Sequence, residues 1–273
     1  MKTFVLITVF YGALAQAFEF PIEGMTGGPP KTRITATATF FPWDTSQWLN
    51  GSLSLPLYKG EANSLGATAQ ASSLKVPETY YLSKANGIQV PHLLKSQQYG
   101  LGFNRKLDDE RSWSVRGSLG SASDKPFESK EVNVVTATAS YLFPSETSPG
   151  DKWIVLVFYS NNNPVFKDIP IPGFAYFMRR PEMLAVFGLP FAYMKWFPKD
   201  AGWNATLLTF GGTIWRTEIA NGSPFGGPSG FVGLEWTQQT WLREGRSDTK
   251  DKLFYDQKQT HIGYRMPVAK GVM

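Results

Sequence analysis

Residues 48–74 read WLNGSLSLPLYKGEANSLGATAQASSL, and almost every second position of the stretch is apolar while the positions between are small or polar. Leu49, Leu53, Leu55 and Leu57 stand opposite Asn50, Ser52 and Ser54; after the turn Lys59, Gly60, Glu61, the residues Leu65, Ala67, Ala69 and Ala71 stand opposite Ser64, Thr68, Gln70 and Ser72. A period of two places alternate side chains on opposite faces of an extended chain, so the stretch reads as a hairpin with one apolar and one polar face. Each arm has about ten residues or more, against a usual strand of roughly five or six.

The same unit recurs outward from this hairpin. Arg33 to Phe41 sets Ile34, Ala36, Ala38 and Phe40 against Thr35, Thr37 and Thr39. Leu93 to Leu107 and Ser112 to Ala122 form a second hairpin around Asp108, Asp109 and Glu110, and Glu131 to Phe143 with Lys152 to Ser160 form a third. Further strands are expected at Ile171 to Arg179, Met183 to Phe197, Trp203 to Glu218, Phe231 to Glu244 and Asp251 to Pro267. That makes about 12 long strands, joined alternately by short turns and longer loops, the layout of a transmembrane antiparallel up-and-down β-barrel. Aromatic residues fall near the strand ends, Trp48, Tyr58, Tyr141, Phe143, Trp153, Trp196 and Trp203 among them, where interfacial girdles belong. Alternation of this kind also fits a soluble secreted or periplasmic β-sandwich that binds carbohydrate through exposed aromatics, the rival reading.

Composition limits the chemistry. The 273 residues include no cysteine, which excludes disulfides, thiolate metal sites, a thiol nucleophile and a lipid-anchored lipoprotein. Charged residues are 18% of the chain, below the roughly 25% of an ordinary soluble domain. A net charge of +5 with no basic cluster gives no electrostatic footprint for nucleic acid. Lys2, the apolar run from Phe4 to Leu14 and the small-x-small triplet Ala15, Gln16, Ala17 have the layout of a secretory signal peptide, so residues 1–17 are expected to be a leader and 18–273 a single barrel domain. The apolar run is too short to span a bilayer as a helix, which needs about 20 residues.

No catalytic constellation is visible. The only histidines are His92 and His261, neither in a His-Glu-x-x-His segment and neither beside a serine, and no Gly-x-Ser-x-Gly elbow occurs. The sequence therefore points to a non-enzymatic outer-membrane protein without metal or cofactor, acting as a passive pore or in a structural or surface role, and partnered by outer-membrane lipid and by a small solute in the lumen. With the apolar faces turned to lipid, the early strands turn Ser, Thr, Gly, Gln and Asn inward, giving a neutral, hydrogen-bonding lining. The lumen-facing charged candidates are Arg116, Glu235, Arg243, His261 and Arg265, and an internal ion-pair network among Arg116, Glu235, Arg243 and Arg265 is expected because isolated charge in a narrow lumen is costly. Lys152 to Ser160 and Met183 to Phe197 are apolar on both faces, as expected of side chains that fill a narrow barrel.

Three segments, Ile171-Pro172-Gly173-Phe174-Ala175-Tyr176, Gly188-Leu189-Pro190-Phe191-Ala192 and Leu253-Phe254-Tyr255-Asp256-Gln257, resemble the C-terminal half of an uncharacterised family of bacterial outer-membrane β-barrels, a domain of unknown function. The resemblance covers about Lys152 to Pro267 and implies an outer-membrane location and a single barrel, with no substrate and no residue roles. One feature departs from it. Such barrels finish on a strand with a terminal aromatic, whereas this chain ends Ala269, Lys270, Gly271, Val272, Met273. Missing closing strands and an unusual closing register are the two expectations that follow.

Overall fold

A computed structural model describes residues 33–40, 46–77, 81–83, 88–163, 168–222, 228–245 and 252–265. The expected leader at 1–17 and the chain end at 266–273 lie outside the described residues.

The alternating stretches form strands in the order β1 (Arg33–Phe40), β2 (Gln47–Lys59), β3 (Asn63–Lys75), the small pair β4 (Tyr81–Ser83) and β5 (Ile88–Gln89), β6 (Leu93–Lys106), β7 (Ser112–Ser123) and β8 (Asn133–Pro144). They continue as β9 (Lys152–Ser160), β10 (Ile171–Arg180), β11 (Met183–Leu189), β12 (Phe191–Trp196), β13 (Trp203–Phe210), β14 (Ile214–Asn221), β15 (Ser229–Leu242) and β16 (Lys252–Arg265). Among the described residues, all but β4 and β5 belong to one 14-stranded sheet in which each strand pairs antiparallel with its neighbours in sequence. Such an up-and-down order leaves no second sheet to face the first, so the sandwich has no counterpart here.

Fourteen strands stand where periodicity gives twelve, and the difference has two local causes. Met183 to Phe197 is two strands that reverse at Pro190, and Trp203 to Glu218 is two strands that reverse at Gly211 and Gly212. Both glycines have positive φ, 51° and 68°, the conformation a tight hairpin needs and one that side-chain-bearing residues avoid. Turns this short leave no polar stretch in the sequence, so each hairpin reads as one long strand.

The connections sort onto two rims. At one, the facing ends of β2 and β3, β6 and β7, β8 and β9, β10 and β11, β12 and β13, and β14 and β15 meet; β1 starts and β16 ends there, and it is called the terminal rim below. At the other, the loop rim, lie the facing ends of β1 and β2, β3 and β6, β7 and β8, β9 and β10, β11 and β12, β13 and β14, and β15 and β16. A single bridge pairs Ser123 with Leu242 in parallel sense at the loop rim. It closes the nine strands β7 to β15 into a ring, with β1, β2, β3 and β6 continuing the sheet on one side and β16 on the other.

Two apolar clusters fill the concave side. One gathers Leu142, Ile154, Leu156, Phe158, Ala175, Phe177, Val186, Phe191, Phe210 and Ile214 from β8 to β11, β12, β13 and β14. Its members are the inward faces of the strands that are apolar on both sides, so those residues fill the barrel. Phe191 is among them because the reversal at Pro190 exchanges inward and outward positions: a continuous strand would point it outward and Met194 inward. The second cluster sits at the loop rim, where Trp48, Leu74, Leu94, Ala122 and Val134 from the early strands meet Trp241 and Leu242 from β15.

Candidate lumen site

The inward face of β7 and β8 carries a ladder of hydroxyls. Ser114 and Ser140 share a hydrogen bond of 2.7 Å, and Ser118 pairs with Thr136. Arg116 is placed between these rungs, in register with Gly102 on β6 and Thr138 on β8. Gly102 makes room for it, since a Cβ there would meet the Arg116 Cγ at 3.2 Å. The guanidinium thus stands on the polar face, and Arg116 is exposed because β7 and β15 are bridged only at the loop rim.

Across the ring, β14 and β15 hold the buried charge. Arg216 Nη2 donates to Glu218 Oε2 at 3.2 Å, and its Nη1 lies 3.8 Å from Glu235 Oε2. Arg216 and Glu235 are directly opposite in register, and both carboxylates are buried. One guanidinium with five donors can serve two acid groups, which is what makes burial of a second carboxylate tolerable here.

The five sequence candidates are therefore not gathered in one place. Glu235 is on the inner face, and its ion pair is with Arg216. Arg243 follows β15 at the loop rim, eight residues beyond Glu235 or about 26 Å along an extended chain, too far for the expected pairing. His261 is registered opposite Gly233 and Arg265 opposite Ser229, and Arg265 stands at the terminal rim. The hidden turn at 211–213 keeps the alternation, since Phe210, Ile214 and Arg216 share the inward parity; what the undivided strand hides is that β14 turns back to pair with β15 and sets Arg216 opposite Glu235.

Polar groups at the loop rim tie the loops to the strand ends. Asn162 Nδ2 donates to the Thr240 carbonyl and Lys252 Nζ to the Asn161 carbonyl, both at 2.8 Å. Ser129 Oγ donates to Glu244 Oε2 at 2.8 Å, and the Glu244 amide donates to Asp124 Oδ1 at 3.0 Å. Beside them Trp48 and Trp241 pack in the apolar cluster at this rim.

At the terminal rim the turn residue Asp151 is fully buried and receives Arg180 Nη1 and Nη2 at 2.5 and 2.7 Å and the Tyr176 hydroxyl at 2.8 Å. The Arg180 hydrogen bonds, with the Tyr176 hydroxyl adding to them, lower its pKa to about 2 against the opposing effect of burial. This clamp holds the turn of β8 and β9 against β10 and faces no lumen group. Among the described residues, no group of three or more His, Asp or Glu side chains could hold a metal ion. Comparison of the chain with protein-family models, curated proteins and solved structures gives no match.

Proposed function

We propose that the protein is a non-enzymatic β-barrel of the bacterial outer membrane, exported by its leader, with the sheet spanning the bilayer and a lumen that is largely packed. The observation that carries this reading is the convex face. Leu101, Val115, Leu119, Val155, Val157, Phe174, Phe187, Ile219, Val232, Leu234 and Ile262 all point outward and are exposed, Leu119 by 66% and Leu101 by 59%. They are large apolar side chains spread over eight strands of the sheet, and an exposed apolar face of that extent marks a surface that meets something other than water. No helix among the described residues is long and apolar enough to cross a membrane, so the strands are the elements that would do so.

Ring pairs at the terminal-rim edge of this face support the same reading. Phe103 packs on Trp113 at 5.3 Å between centroids, Trp153 on Tyr176 at 4.5 Å and Trp196 on Trp203 at 5.3 Å. With Tyr141, Phe143 and Tyr264 they make a belt at one level, where amphipathic rings favour a membrane interface. Short turns and both chain ends share that rim, as in outer-membrane barrels whose short turns are periplasmic. The resemblance carried by Ile171 to Tyr176 and its companions points the same way. The filled β8 to β14 side and the apolar cluster at the loop rim favour a structural or narrow solute-binding role over a wide pore.

Heat-modifiable migration in detergent gels and fractionation of the producing cells test this. The expected result is a folded form that migrates differently from the boiled form and sediments with the outer membrane. Recovery of the mature chain in the soluble fraction without detergent would sink the proposal.

A further inference from the structure

The outward face of β16 differs from that of every other described strand of the sheet. Alternation turns Phe254, Asp256, Lys258, Thr260, Ile262 and Tyr264 outward, all of them exposed, and sets Gln257 inward, where it is buried. Asp256 and Lys258 are the fifth and seventh of its 14 residues, with Phe254 to one side of them and Ile262 and Tyr264 to the other. Elsewhere among the described strands of the sheet, charge inside a strand belongs to the inner face, as at Arg116, Arg216, Glu218 and Glu235. The remaining charges stand within the first or last three residues of their strands, as Lys95 and Arg105 do. Trp236 of β15, opposite Lys258 in register, donates its indole N–H to Asp256 Oδ1. Lys258 forms no ion pair among the described residues, with Asp256 or with any other acid.

A charged side chain on the lipid face of a barrel is costly towards the middle of the bilayer and costs little near its surfaces. An acid and a base set inside an apolar face therefore mark a stretch that lipid does not cover. We propose that the outward face of β15 and β16 is an interface with a second copy of this chain, in a two-fold dimer side by side in the membrane. The proposal names a partner for the membrane-spanning sheet proposed above and rests on that reading. Charge complementarity selects the partner. Two opposite charges two residues apart on one face, about 7 Å along an extended strand, make the patch complementary to itself. A two-fold axis normal to the bilayer sets the two patches against each other at one level. Lys258 of each copy then reaches Asp256 of the other, so a single patch closes two ion pairs and leaves no charge in lipid. Its hydrogen bond to the Trp236 indole holds Asp256 in place to receive the ammonium. Val232, Leu234, Phe254 and Ile262, exposed on the same two strands, surround the pairs with apolar contact.

Full-length protein in detergent micelles, folded by the gel-migration criterion, is sized by sedimentation across a concentration series. A dimer is expected. Lys258→Asp and Asp256→Lys each set like charges against like and should weaken association at least tenfold. Mixed in equal amounts, the two variants should associate again, because each then meets opposite charge. A second measurement needs no change of charge. In membranes from the producing cells, benzophenone maleimide carried by Thr260→Cys, inside the patch, should give an adduct of two chains, and the same probe on Leu119→Cys of β7 should not. Three results overturn the proposal: folded parent protein that stays monomeric, association unchanged in both single variants, or a Thr260→Cys adduct of any other mass, the mark of a different protein. Sizing does not depend on cellular location. A charge-dependent dimer recovered in the soluble fraction overturns the membrane reading alone, and a monomer that sediments with the outer membrane overturns the interface alone.

Discussion

Asp151 shows how one side chain fixes a turn. Its carboxylate collects a guanidinium and a phenol in a buried position, and its pKa of about 2 lies below the ordinary aspartate range. A depressed folded-state pKa means that the stabilisation is fully present above the unfolded value and is lost as pH falls through the folded one. The unfolding temperature of the parent should therefore exceed that of Asp151→Asn at pH 7, and the gap should close as pH drops from about 4 towards 2. An equal gap at pH 7 and pH 2 would show that the clamp is not electrostatic. Arg216 is the corresponding residue in the lumen. Arg216→Gln removes the shared cation from Glu218 and Glu235 and should cost about 3 kcal/mol in denaturant unfolding. The double variant Arg216→Gln/Glu235→Gln should recover part of that loss, since one of the two carboxylates is gone. Glu235 could be read from the sequence as an inward charge, because the alternation of β15 is regular around it. Its partner Arg216 has the parity of the inward Phe210 and Ile214, but a stretch read as one strand gives no reason to set it beside Glu235.

At the scale of elements, the long regular strands were legible and the tight reversals were not. β2, β3, β6, β7 and β8 fall within a few residues of the alternation that predicts them, because each has one apolar and one polar face and bounding turns rich in charge, Gly or Pro. β11 and β12 are joined at Pro190 alone and β13 and β14 by residues 211–213, and periodicity passes straight through such joints. Close pairing is written into particular glycines. A Cβ on Gly120 would collide with the Gln97 carbonyl and the Gln98 Cα of β6, whereas one on Gly117 of the same strand would meet only the Thr136 carbonyl at 4.0 Å. Gly120→Ala should destabilise the barrel by about 2 kcal/mol through displacement of β6. Gly117→Ala should be neutral or slightly stabilising, because alanine lowers the entropy of the unfolded chain. Equal melting of the two variants would contradict the register of β6 on β7.

For the whole molecule, fold class follows from the sequence because a period of two over long segments has few outcomes: the apolar faces must meet lipid or each other. The early strands keep a polar concave face, whereas β9 and β11 carry apolar side chains on both sides, Ile154, Leu156 and Val186 inward and Val155, Val157 and Phe187 outward. The candidate lumen site was legible only as a neutral lining. The loop-rim cluster brings Trp48 of β2 to Trp241 of β15, residues almost 200 positions apart, a contact that no local pattern encodes. The central claim is that the convex face lies in lipid and the concave face in water. Because the chain has no cysteine, single cysteines can be placed along β7 in reconstituted vesicles, at Val115 and Leu119 on the outer face and at Ser114 and Ser118 on the inner. The account predicts that the outer pair reacts with a lipid-soluble maleimide and resists a membrane-impermeant one, with the inner pair showing the reverse order. Rapid reaction of all four positions with the impermeant reagent would contradict it.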